Sequence, residues 1–163
     1  MKIVLFLHGL TGGGAEHVTA LWASGFSKRG HEVTIIVRNN YECDVCYSIP
    51  SDVQIKALKK KGNYSISRIV YRILQIRHII KEVKPDAIIT VMHPCGLYAY
   101  LATIGLKIPI FNTEHNAFER PGEAKWTRFE IFNKFYVNKL FKGVTVLTQA
   151  DKDLIENRLN NVT

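Results

Sequence analysis

The junction KIVLFLHGLTGGGAEHV, Lys2 to Val18, narrows the fold more than any other stretch of the chain. An unbroken apolar run of strand length, Ile3 to Leu7, leads to three consecutive glycines, Gly12 to Gly14, and then to a helical pattern. A strand that is apolar at every position is buried on both faces, which is how strands of a parallel sheet sit. Glycine costs backbone entropy, so a cluster of it where strand hands over to helix means that something must approach the main chain closely.

The rest of the chain repeats this alternation. AEHVTALWASGFSKRG carries Val18, Leu21, Trp22 and Phe26 at helical spacing and stops at Gly30. HEVTIIVR and DVQIKAL read as the second and third strands. Ile66 to Val83 forms an amphipathic helix in which Ile69, Val70, Ile73, Leu74, Ile76 and Ile80 alternate with Arg68, Arg72, Arg77 and Lys81, and Pro85 ends it. Asp86 to Met92 is a strand, CGLYAYLATIG a short helix and IPIFNTEH a strand. Lys125 to Lys142 reads as a long aromatic helix, followed by a strand over Gly143 to Thr148 and a short helix from Gln149 to Arg158. Strands and helices in this order call for a doubly wound, mostly parallel, Rossmann-like α/β sheet, and the 163 residues suffice for one domain with a full core.

In such a sheet a glycine turn at the carboxyl end of a strand is a phosphate site, so the first question is which phosphate. The dinucleotide pattern G-x-G-x-x-G starts with Gly12 and Gly14, but its third position holds His17, and the second strand ends in Val37, Arg38 and Asn39 where an acidic ribose ligand is expected. Nicotinamide binding is disfavoured on these grounds. Arg38 leaves room for a 2′-phosphate, so an NADP-dependent reductase or epimerase stays open as a rival. There is no G-K-[ST] and hence no P-loop. Glu16, in the first helical turn, is placed either to cap the helix or to bond a sugar hydroxyl.

The formal charge of +8 suits an anionic partner. A nucleic-acid or other anion-binding module is favoured by charge alone and lacks a helix-turn-helix or stacking-aromatic signature, so no nucleic-acid partner is expected. Cys43 and Cys46 form a lone C-x-x-C with no second pair to complete a zinc site, and no metal is expected. The opening apolar run is too short for a secretory signal, and no stretch approaches the roughly 18 apolar residues of a membrane span. A cytoplasmic protein with at most peripheral membrane attachment is expected.

At three places the residues resemble a known family. GGGAEHVTALWASGFSKRGHEVTIIV is similar to the opening of the retaining glycosyltransferases of family 4, with its G-G-A-E-R turn, helix and G-H-E-V strand. IFNTEHN (Ile110 to Asn116) resembles the family's T-E-H-N strand end, and GVTVLTQADKDLI resembles its V-V-A-V-S-E-A-D-K segment. His17 stands where the family has arginine. The resemblance implies the GT-B architecture, in which two Rossmann-like domains face a cleft, the first holding mainly the acceptor and the second mainly the nucleotide-sugar. It also implies transfer with retention, generally without a metal, the nucleotide-sugar being substrate rather than cofactor. The E-x7-E motif belongs to the second half, so residues 1–163 are expected to be the N-terminal, acceptor-side domain, inactive without its C-terminal partner.

Site residues follow from the same resemblance. Gly12, Gly13 and Gly14 would receive the donor diphosphate on backbone amides, and His115, at a strand end, would contact the transferred sugar and stabilise the transition state. Glu114 and Asn116 flank it on the rim as acceptor or sugar ligands, together with Glu16; His93, which closes another strand in VMHPCG, has a similar position without a matching family motif and is an acceptor-side candidate on that placement alone. His8 is a weaker candidate. The family's frequent use of lipid-linked acceptors gives the basic amphipathic helices, Arg68 to Lys84 or Trp126 to Phe141, a membrane-surface role beside their ordinary reading as core packing under a basic outer face.

Overall fold

A computed structural model describes residues 1–38, 47–59, 66–116 and 127–160. Cys43, Cys46, Asn39, Lys125 and Trp126 lie outside the described residues. Six strands, β1 (Lys2–Leu7), β2 (Glu32–Val37), β3 (Gln54–Ala57), β4 (Ala87–Val91), β5 (Ile110–Thr113) and β6 (Gly143–Thr145), form one sheet in the order β3-β2-β1-β4-β5-β6. Every pairing is parallel. The central strand explains the arrangement: Ile3 through Leu7 are all buried, so both faces of β1 must be covered.

The side chains of β1 divide by the two-residue period of a strand. Ile3, Leu5 and Leu7 join Val33, Ile35 and Val37 against Ala23, Trp22 and Phe26 of helix α1 (Gly14–Lys28). Val4 and Phe6 join Ile36 and Ile88 on the other face, under Ile76 and Ile80 of α2 (Ile66–Val83) and Ala99 and Ala102 of α3 (Cys95–Thr103). Each such side chain contributes about 1.5–3 kcal/mol on burial, which makes the pattern decisive for register. The basic residues of α2 are not all solvated, because Arg77 Nη1 donates to the carbonyls of Ala102 (2.8 Å) and Ile104 (2.8 Å) at the end of α3.

Between β5 and β6 the chain departs from the long helix that the sequence suggests. One α turn, α4 (Arg128–Ile131), is capped by Thr127, whose Oγ1 accepts from the Glu130 amide at 3.2 Å. A π turn (Phe132–Tyr136) and a 3₁₀ turn (Val137–Leu140) follow. The cause is polar: Asn138 is buried, its Nδ2 donates to the Lys134 carbonyl at 2.9 Å, and its Oδ1 accepts from Asn112 Nδ2 at 2.9 Å. A side chain bonding into the ladder loosens a helix at that point. The expected orientation is also reversed, since Lys134 is buried while Phe129, Phe132, Tyr136 and Leu140 are exposed. The last helix, α5 (Gln149–Asn160), starts at Thr148, whose Oγ1 accepts from the Asp151 amide at 3.1 Å.

Candidate functional site

With the strand order reversing between β1 and β4, the carboxyl ends of these strands splay apart and leave a crevice, the usual place for a ligand in an open α/β sheet. A cavity of about 400 Å³ opens there. His8 after β1, His93 after β4, His115 and Asn116 after β5, and Gly13, Gly14 and Glu16 at the start of α1 all line it. Seven residues singled out in the sequence are thus brought to one place by four separate elements.

The glycine turn is built from two kinds of glycine. Gly12 has φ of +134°, a conformation closed to other residues. At Gly14 an added Cβ would meet nothing within 4 Å, and at Gly13 it would only touch Glu16 at ordinary contact distance. Protein packing therefore does not demand glycine at Gly13 or Gly14. Glu16 caps the turn: its Oε2 accepts from the amides of Gly12 (2.7 Å) and Gly13 (3.1 Å). Tyr47 closes one side, donating from its hydroxyl to the Gly13 carbonyl at 2.9 Å and stacking on His17 with ring centroids 5.2 Å apart.

The end of β5 shows how strand alternation sorts the other candidates. Thr113 and His115 share one face, with His115 Nε2 3.2 Å from Thr113 Oγ1 and the ring tilted against Trp22 of α1 at 6.1 Å. Asn112 and Glu114 share the opposite face, with Asn112 Nδ2 donating to Glu114 Oε1 at 2.9 Å. Glu114 is 1% exposed and lies beneath the rim on which it was expected to stand. Its other oxygen, Oε2, faces His93 Nδ1 at 3.9 Å. Asn112 is held in turn by Thr90 Oγ1, which donates to its Oδ1 at 2.7 Å.

Burial is the main cause that lowers the His115 pKa from its ordinary value, with the Glu114 charge opposing. His8 is lowered chiefly by burial and next by Arg38, while Glu16 opposes. Both rings therefore present neutral imidazole at neutral pH. Two residues of the cleft have no counterpart in the sequence reading. Cys95, at the start of α3, is buried, which pushes its thiol up to about 12 and makes it inert. Met92 adopts a left-handed backbone, φ 62°, just before His93; no residue type in the sequence announces that turn. Among the described residues no group of three or more His, Cys, Asp or Glu side chains is disposed to hold a metal ion.

A parallel six-stranded sheet with a crevice at its switch point, lined by three histidines and a glycine turn, defines a Rossmann-like domain. The chain belongs to glycosyltransferase family 4, whose family model, Glycosyltransferase Family 4, matches residues 12–161. It is similar to the GalNAc-alpha-(1->4)-GalNAc-alpha-(1->3)-diNAcBac-PP-undecaprenol alpha-1,4-N-acetyl-D-galactosaminyltransferase of Campylobacter jejuni subsp. jejuni serotype O:2, at 28% identity over 120 residues, 71% of this chain and 33% of that protein. Among solved structures, the apo form of the lipopolysaccharide outer core galactosyltransferase WaaB matches with a TM-score of 0.73 at 19% identity over 97% of this chain and 42% of that one. The UDP-GlcNAc 2-epimerase of Methanocaldococcus jannaschii matches with a TM-score of 0.70 at 15% identity over 100% of this chain and 43% of that one. The fold is that of one Rossmann-like half of a GT-B architecture, and the chain spans about a third of the curated relative.

Proposed function

We propose that the chain is the acceptor-side domain of a retaining glycosyltransferase that moves a sugar from a nucleotide-sugar to a glycan or lipid-linked acceptor in surface polysaccharide synthesis. What carries the reading is the family match over residues 12–161 laid on a crevice where Gly13, Gly14, His93 and His115 converge. Gly14 and Ala15 open α1, where amides have no partner within the helix and the helix dipole favours an anion. The donor diphosphate is received there and on the Gly12 and Gly13 amides, and because Glu16 Oε2 holds those two amides, its arrival displaces that carboxylate. The freed Glu16 bonds a sugar hydroxyl. His115 contacts the transferred sugar, and His93 and Asn116 hold the acceptor. The name of the Campylobacter relative, which carries an undecaprenol-linked acceptor, supports a lipid-linked acceptor and peripheral contact with a membrane here.

Calorimetric titration of the 163-residue chain tests the reading. A short prenyl-diphosphate glycan is expected to bind, NADPH to give no heat, and incubation with UDP- or GDP-sugars to yield no transfer product from these 163 residues alone. Tight NADPH binding would replace the reading with that of a reductase or epimerase. Sugar transfer by this chain alone at an ordinary enzymatic rate would overturn the acceptor-side assignment.

A further inference from the structure

Two polar atoms at the floor of the crevice are sealed from solvent and have no hydrogen-bond partner among the described residues: Nδ1 of His93 and Oε2 of Glu114. Buried polar groups are nearly always paired, so a complementary donor and acceptor left 3.9 Å apart point to a shared use. The carboxylate is the fixed member. Its Oε1 is bonded to Asn112 Nδ2 at 2.9 Å, Asn112 is tied to Thr90 and Asn138, and the Glu114 amide donates to the Thr145 carbonyl at 2.9 Å. The imidazole is the movable one, with 17% of its side chain still exposed along the crevice.

We propose that Glu114 is a positioning residue that acts through His93. A small turn of the ring closes the gap, and Glu114 Oε2 takes a hydrogen bond from a protonated Nδ1. The opposite nitrogen, Nε2, is left unprotonated and directed at the crevice as a hydrogen-bond acceptor. Fixing one ring nitrogen by a carboxylate and so choosing the role of the other is a general property of histidine. A ring held this way accepts from hydroxyls and offers nothing to phosphate oxygens. Phosphate and hydroxyl recognition are thus divided between the two walls of the crevice, the helix start on one side and His93 on the other. The ligand at His93 is a hydroxyl-bearing group, which under the transferase reading is a sugar hydroxyl of the acceptor; that last step rests on the reading above.

The tautomer can be read in the ligand-free chain by long-range ¹H–¹⁵N spectra of histidine-labelled protein at pH 8, so its outcome is independent of whether the protein transfers sugars. His93 is expected as the Nδ1–H form. Glu114→Gln, which can offer an N–H in place of a carboxylate oxygen, is expected to shift it to the Nε2–H form or a mixture. Glu130→Gln removes a second carboxylate that interacts electrostatically with His93 and is expected to leave the tautomer unchanged. A wild-type ring that is Nε2–H or doubly protonated, or a tautomer that follows Glu130 instead of Glu114, overturns the proposal. If Glu114→Gln fails to fold, the wild-type spectrum decides alone.

Discussion

Gly12 and Gly14 sit two residues apart and are glycines for different reasons. The φ of +134° at Gly12 excludes a side chain on backbone grounds, so Gly12→Ala is expected to cost about 1–3 kcal/mol, read from the urea midpoint. Gly14 opens α1 in empty space, and Gly14→Ala is expected to hold or raise the midpoint, since alanine is the better helix former, while weakening binding of any diphosphate at the turn. Equal destabilisation by both substitutions would show that the turn is shaped by packing and not by a ligand. His8 and His115 add a pH dependence. Burial lowers both pKa values, so the unfolded chain takes up protons first: their contribution to stability is full above the unfolded value of about 6.5 and is lost as pH falls through the lowered folded values. Urea unfolding between pH 8 and pH 5 is expected to show this fall, and His115→Asn to make it shallower; an unchanged slope would remove His115 from the account. At this scale the sequence was informative about which residues gather, because strand ends and a helix start share one edge of the sheet. It was silent on which way Glu114 points until the two-residue period is carried past the end of β5, which pairs Asn112 with Glu114 and Thr113 with His115.

Elements whose faces are set by apolar contacts were legible almost to the residue. The helix read from Ile66 to Val83 has those bounds, and the alternation of strands and helices already implied a parallel sheet. The segment from Arg128 to Leu140 was misread because its inward side is polar. Asn138, Asn112, Glu114 and Thr90 form one buried hydrogen-bonded set, and no hydrophobic period records it. Removing one member leaves the others short of partners in a dry setting, where an unmet group costs about 1–3 kcal/mol. Asn138→Ala is expected to lower the unfolding free energy by that amount and to disturb the amide resonances of Asn112 and Glu114 across the gap between the elements. A midpoint equal to wild type would mean that the broken helix owes its shape to something other than this network.

Taken as a whole, the molecule is asymmetric between its two ends. In a parallel sheet every helix that follows a strand begins at the strands' carboxyl edge, so α2 and α4 both start on the edge of the sheet that carries the crevice. Arg72 of α2 makes a small electrostatic contribution at His8, beside the larger effects of burial and Arg38, and His93 makes a small one at Glu130 of α4, beside the Thr127 hydrogen bonds, consistent with that placement. The same two starts carry exposed apolar side chains, Ile66, Ile69 and Val70 on one and Phe129 and Phe132 on the other, among basic residues of a chain with net charge +8. Apolar side chains that core packing leaves outside, set among cations, match the chemistry of an anionic bilayer surface, where aromatic rings settle at the headgroups and each basic residue adds about 1 kcal/mol. No described helix is long and apolar enough to cross a membrane, so any such contact lies in the surface plane. Co-sedimentation is expected to show binding to vesicles containing phosphatidylglycerol that weakens as salt screens the charges, and little binding to neutral vesicles. The double substitution Ile69→Ser, Phe132→Ser is expected to reduce that binding without shifting the urea midpoint, because both side chains are exposed. Equal absence of binding to both kinds of vesicle would leave the apolar rim without a membrane role, and binding that ignores the double substitution would assign the attraction to net charge alone.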